Sequence, residues 1–517
     1  MPAQSGNNTD AFDIESTFHP SIHLSRRRNL TSSPFLSLPT ELILEIFVYV
    51  IGLDDDYSNY DRTLFVLTAI CHQLREIGTA SPQLWSSVDF TTPPIAKLFL
   101  ERCKYNPRIL LVKGSGPMWL TRDPKREVLW EELGGRTFNN LRSLVFDGSE
   151  REFAREVVSV LQRAPNVSNL DLNNIPYGPS QDLPWPIGDP IPNLSTLHLH
   201  NFLISWTSPL LRNLTQLTMD SGSLYFPLER VSVETFLTTL VNCPNLEILS
   251  LTNSGPETLG GRQDECGVVV QLCRLRELSL KFHDPWKIGC ILSHIGYPES
   301  TRLAVYATVD VDGDLAEVIS RILPHRNVQT TQHVRKSTVL TVYPDDHPQF
   351  FTDNLLVHLH QPHIDMGFWR NPQSLTRLAP KIVEVVGGDT IISLNIESWQ
   401  IDLPEGMWGP LLHGLPRLER MRYRRTREGN DLHLANSFVL VFSRPFEGRP
   451  ICPQLQHLEM PRGVLTHDSS ARVLKRALTE RVACGRRLKR IGISDDEVEV
   501  GDRLVLEPFR DVVDEVG

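Results

Sequence analysis

One six-residue theme, Leu-x-x-Leu-x-Leu with conservative swaps, returns ten times in this 517-residue chain and limits what the chain can fold into. It occupies 141–146, 167–172, 194–199, 214–219, 246–251 and 275–280, and again 391–396, 418–423, 455–460 and 488–493. The first six copies follow one another at intervals of about 20 to 32 residues, the range of a supersecondary repeat. Along an extended strand successive side chains point to opposite faces, so the last two apolar positions of each copy share one face. A lone strand of this kind cannot bury that face, whereas copies laid side by side can build a continuous core. Stretches such as 152–161 and 233–241 read as helices between the strands.

The alternation also assigns an outward set: Asn169, Asp171 and Asn173; Thr196, His198 and His200; Gln216, Thr218 and Asp220; Glu277, Ser279 and Lys281. Arg420, Arg422 and Arg424 continue it, with Arg425 and Arg427 beyond. Of these, His198, His200, Lys281, Arg420, Arg422 and Arg424 are the candidates for holding a substrate. Guanidinium groups suit carboxylates or phosphates, although exposed arginines can equally pair with acidic neighbours. The theme resembles a leucine-rich repeat with irregular connecting segments, which implies an α/β solenoid with parallel strands along its concave side. The stretch 284–385 breaks the pattern. Strand-like 302–307 and 338–343 bracket a helical 315–323, and we take it as divergent repeats.

Ahead of the repeats, residues 34–90 hold more apolar surface than a short helical module can bury. Pro39 fits a first helical position, where its missing N–H costs nothing, and Glu41 complements the positive end of the helix. From 42 to 51 only Glu45 is polar, so that helix requires cover on nearly every side. Leu64, Leu67, Ile70, Cys71, Leu74 and Ile77 follow at helical spacing, with Gly78 as a stop. Ser81 and Pro82 then start a short turn that delivers Leu84 and Trp85. The surplus belongs either to the rest of the chain or to a partner.

The blocks Leu38-Pro39-Thr40-Glu41-Leu42-Ile43-Leu44-Glu45-Ile46-Phe47, Leu67-Thr68-Ala69-Ile70-Cys71-His72-Gln73-Leu74-Arg75-Glu76-Ile77 and Ser81-Pro82-Gln83-Leu84-Trp85 closely resemble an F-box of the kind common in large fungal F-box-like families. Leu74 stands where that family usually has Trp, and an acidic loop with Asp54, Asp55 and Asp56 lengthens the first connection. The resemblance implies docking on a Skp-type adaptor through Leu38, Pro39, Leu42, Ile43, Ile46 and Phe47, completed by Leu67, Cys71, Leu84 and Trp85. It thereby implies the substrate-receptor role in a cullin–RING ubiquitin ligase, with the repeats holding a protein substrate and no chemistry on this chain.

The expected class is therefore α/β: a helical F-box module at 34–90, a connecting segment at 91–136, and a degenerate repeat solenoid at 137–500. A polar tail at 1–33, with Arg26, Arg27 and Arg28, and an acidic tail at 501–517 flank them. A net charge of −10 argues against nucleic-acid or anionic-membrane binding. The eight cysteines are scattered without a Cys-x-x-Cys, which fits reduced core thiols in the cytoplasm or nucleus. No apolar run is long enough to span a membrane. Phosphate-loop, serine-elbow and zinc-helix motifs are absent, and no cofactor or metal is expected. The one rival pattern is His358, His360 and His363, whose spacing partly resembles that of metal-dependent hydrolases but carries Pro362 where an acid belongs. Two non-catalytic readings remain beside that metal reading: a ligase receptor, or a ligase-independent scaffold whose helical module caps the repeats.

Overall fold

The protein was analysed as a computed structural model. It describes residues 33–52, 60–113, 124–133, 136–148, 160–174, 191–202, 204–221, 231–257, 268–282, 284–298, 300–308, 339–347, 352–360, 363–369, 383, 388–398, 405–425, 436–443, 451–466, 468–494 and 505–516. The 1–33 tail up to residue 32, the Asp54–Asp56 loop and the expected helix at 315–323 lie outside this set. The chain is mixed α/β and forms two compact units, Met1–Val167 and Ser168–Gly517.

The first unit opens with α1 (Thr40–Gly52), α2 (Tyr60–Ala69) and α3 (His72–Ala80), followed by a 3-10 turn at Pro82–Trp85. Strand β1 (Ser87–Asp89), helix α4 (Pro93–Arg102), strand β2 (Ile109–Lys113), helix α5 (Pro124–Leu133) and strand β3 (Ser143–Gly148) complete it. β1, β2 and β3 are parallel neighbours, so strand stacking in this unit begins before the first copy of the repeated theme. The spacing from Leu64 to Ile77 reads as one helix, yet the backbone breaks at Cys71, which is extended. The break folds α3 back beside α2 and brings Gly78 against Thr68. Gly78 is thus not the expected helix stop; it permits a close approach within the helix. Ser81 makes no side-chain cap, because its hydroxyl donates back to the Ile77 carbonyl at 2.7 Å.

The second unit carries the repeats that follow β3. Strands β4 (Asn169–Asn174), β5 (Thr196–His200), β6 (Gln216–Asp220), β7 (Ile248–Thr252) and β9 (Glu277–Phe282) lie side by side in parallel, and β11 (Arg302–Thr308) continues them. Corresponding residues pair in register: Leu170, Leu197, Leu217, Leu249 and Leu278 form one buried row across the sheet. Two-residue strands β8 (Val270–Gln271) and β10 (Ile295–Gly296) make a separate parallel pair. Asn201 and Asn253 take positive φ after their strands and donate their N–H groups to the next strand's Asp220 and Lys281 carbonyls. Asn tolerates that left-handed conformation better than other non-glycine residues.

The expectation of divergent parallel repeats at 284–385 meets a different geometry. β12 (Val339–His347), β13 (Thr352–His360) and β14 (His363–Trp369) form an antiparallel meander set between parallel strands, with β14 beside β11 and β12 beside β15 (Ser393–Ser398). β16 (Arg420–Arg425), β17 (His457–Met460), β18 (Leu488–Ile493) and β19 (Val513–Val516) then resume the parallel order. The 501–517 segment, expected as an acidic tail, supplies β19: Val512 and Val513 are buried, and Arg487 pairs with Asp514 at 3.0 Å.

Helices α6 (Val233–Val241), α7 (Pro285–His294), α8 (Glu405–His413), α9 (Asn436–Ser443), α10 (Arg462–Thr466) and α11 (Asp468–Ala483) connect the strands. α6 starts where the Ser232 hydroxyl accepts from the Thr235 N–H, and α7 where Asp284 accepts from Trp286, ordinary N-caps for orphan amides. The core lies between strands and helices. Trp408 of α8 packs edge-on to Tyr423 of β16 and to Phe438 of α9, and Trp206 packs on Phe236 of α6 at 4.9 Å.

Candidate functional site

The N-terminal helices close a core of their own and still leave apolar side chains in solvent. Ile43, Phe47 and Ile51 recur every fourth residue along α1 and turn inward. Leu64 of α2 and Leu74 of α3 are buried as well, so Leu74 serves as ordinary apolar filling at the position where the F-box pattern has Trp. Trp85 is fully buried and donates from Nε1 to the Gly78 carbonyl at 2.8 Å. Its ring meets Phe99 of α4 at 4.8 Å and Phe65 of α2 at 6.2 Å, and the Arg102 guanidinium lies 4.0 Å from its centre. Burial lowers the Arg102 pKa. Tyr60 donates its hydroxyl to the Leu84 carbonyl at 3.0 Å, and burial pushes its phenol up to about 12.

This packing divides the expected docking residues. Ile43, Phe47, Leu84 and Trp85 are buried within the first unit, Trp85 partly by Phe99 and Arg102 of α4, and are unavailable to a partner. Pro39 and Leu42 are exposed, while Leu38, Ile46, Leu67 and Cys71 are half-buried. The sequence reading missed the largest exposures. On α1, Val48 and Tyr49 stand 53% and 68% exposed; Val66 of α2 and the adjoining Ile70 reach 58% and 63%. Phe35, in the turn before α1, is also exposed. The overlooked signal was helical phase: once Ile43 and Phe47 face inward, Leu42, Glu45 and Tyr49 must share the opposite side.

The outward faces of the repeat strands are polar, as the alternation requires. On the β4–β9 strands, His198 lies 3.8 Å from Asp171 and His200 3.5 Å from Asp220. Lys281 and Arg424 are half-buried and engaged in interactions of their own. Arg420 is exposed, and Arg422 pairs with Glu459 at 3.2 Å. His360 sits opposite His363 and His358 opposite Asp365 in the β13–β14 register, but the side chains of these strands lie outside the described set. Among the described residues, no group of His, Cys, Asp or Glu is arranged to hold a metal ion. No helix among them is long and apolar enough to cross a membrane.

A scan against protein-family models finds no match to this chain, and a search of curated proteins finds none either.

Proposed function

We propose that the chain is a non-catalytic substrate receptor of a cullin–RING ubiquitin ligase. In this reading the outward side of the N-terminal helices docks on a Skp-type adaptor. The repeat strands, stacked as a leucine-rich-repeat solenoid, offer their polar face to a protein substrate. The observation that carries the reading is that Phe35, Leu42, Val48, Tyr49, Val66 and Ile70 stay exposed although the module's core is complete. Large apolar residues gathered in one short segment favour a protein partner over water. Catalysis would be proximity supplied to chemistry on other subunits, in the cytoplasm or nucleus.

Co-purification with the adaptor tests this. Leu42→Asp and Tyr49→Ala alter exposed positions and leave the core intact, so they should abolish or strongly weaken capture without unfolding. Equal capture of wild type and both variants, or capture of neither, overturns the docking claim. A ligase-independent scaffold is the second reading. It is favoured by the Trp85–Phe99 contact, which joins the helices to the segment that follows them. On that reading the same substitutions leave partner capture unchanged, and removal of 34–90 lowers the stability of residues 91–167.

A further inference from the structure

The chain has a net charge of −10, yet its outward strand face near the C-terminal end concentrates positive charge. Register places Arg420 of β16 beside His457 of β17, and His457 beside Arg490 of β18. Adjacent strands are about 4.8 Å apart, so these three residues span roughly 10 Å across the sheet. Met421, Leu458 and Ile491 form the next row and are buried, which leaves the basic row on the opposite face. Arg420 and Arg490 are exposed; Arg420 makes no ion pair among the described residues, whereas Arg490 already has an interaction of its own that a bound anion would share or displace. One step further along β16, Arg422 is already matched by Glu459.

The row is also bounded. Glu515 of β19 stands beside Arg490, and Ser393 of β15 beside Arg420. A long polyanion would meet Glu459 and Glu515 within a strand or two. A short anionic segment would meet only the basic row, where planar guanidinium groups accept oxyanions through paired N–H donors.

We infer that the outward face of β16–β18 binds a short acidic stretch of polypeptide, its carboxylate or phosphoryl oxygens seated on Arg420 and Arg490. This rests on the reading of the repeat strands as the receptor's substrate surface, and it names the chemical class of that substrate. The charge pattern selects a protein segment over nucleic acid, because only a short run of negative charge fits between the flanking glutamates.

The test is fluorescence anisotropy on the full-length chain with four labelled probes of matched length. They are an Asp/Glu-rich peptide, a phosphoserine peptide, its Gln/Asn/Ser counterpart, and a single-stranded DNA oligonucleotide. At least one anionic peptide should bind saturably and weaken with added salt, and whichever binds tighter identifies carboxylate or phosphoryl as the source. Arg420→Ala and Arg490→Ala should each reduce that affinity about tenfold or more, the loss expected for a charge-assisted hydrogen bond. Arg476→Ala, which alters an exposed arginine of α11 paired with Glu480, should leave it unchanged. The inference is overturned if neither anionic peptide binds, if the neutral peptide binds equally, if the oligonucleotide binds tightest, or if all three variants behave alike. Adaptor capture by the same arginine variants separates the two claims. Peptide binding without capture removes the docking reading alone, and capture without peptide binding removes this inference alone.

Discussion

Replacing Gly78 by Ala tests the packing that positions the whole N-terminal module. A Cβ at this position would stand 2.6 Å from Thr68 Cγ2 and 3.5 Å from Phe47 Cε2. The Thr68 methyl cannot turn away cheaply, because its hydroxyl is held by the Leu64 carbonyl at 3.0 Å and the Phe65 carbonyl at 3.1 Å. Overpacking of this kind costs about 1–3 kcal/mol. Against it stands the gain from exchanging Gly for Ala inside a helix, about 1 kcal/mol. The clash outweighs the propensity, and Gly78→Ala should destabilise the α2–α3 pair by about 1 kcal/mol. Thr68→Ser removes the offending methyl and keeps the hydroxyl, at a cost of about 0.8 kcal/mol for the lost apolar group. In that background the Gly78→Ala methyl keeps only ordinary van der Waals contacts, with Phe47 Cε2 at 3.5 Å, and should stabilise, so the two substitutions couple by about 2 kcal/mol. Native-state hydrogen exchange of residues 60–80 in the full chain reads these local opening free energies. If Gly78→Ala stabilises the wild type, or acts identically in both backgrounds, close helix approach is not the reason for the glycine.

Two other perturbations probe buried polar groups. Because folding raises the Tyr60 phenol pKa to about 12 from its ordinary value near 10, the folded state holds its proton more tightly. The resulting stability is fully present below pH 10 and is lost as pH rises through 12; Tyr60→Phe should flatten that alkaline limb of the melting temperature. An unchanged limb would assign the alkaline loss to other groups. In the second unit, buried Arg481 donates to the Ile451, Cys452 and Leu455 carbonyls at 2.9, 3.0 and 3.4 Å and lies over the Phe442 ring. Arg481→Met keeps the bulk but removes the donor from the Ile451 and Leu455 carbonyls, while the Cys452 carbonyl keeps the Leu455 N–H at 3.1 Å, and should cost about 3 kcal/mol in urea unfolding. A loss below about 1 kcal/mol would show that the carbonyls find other partners.

Period-two alternation made the repeat strands legible, because parallel stacking buries one face of each strand whatever the connections do. Leu197, Leu199, Leu217, Met219, Leu249 and Leu251 are buried as the pattern requires, and His198, His200 and Thr218 lie outward between them. The rule weakens at β18, where Lys489 and Arg490 are both exposed and Gly492 is buried. Strands of other origin escaped it. β12–β14 lack the repeated spacing and pair antiparallel, and β19 follows a charged stretch that resembles a solvated tail. The helical module was harder still, since a helix apolar on every side has no periodicity to show which side is covered.

By itself, the sequence determined that this chain builds parallel strands with a polar outward face, and that residues 34–90 carry surplus apolar surface. Alternation and composition are local properties, and they survive any arrangement of the neighbours. Tertiary structure alone decided which apolar residues remain for a partner. Ile43, Phe47, Leu84 and Trp85 went to the core and Leu42, Val48, Tyr49, Val66 and Ile70 to the surface. The break at Cys71 and the close approach at Gly78 set the helical phase. That phase depends on contacts between segments, which a linear pattern does not contain.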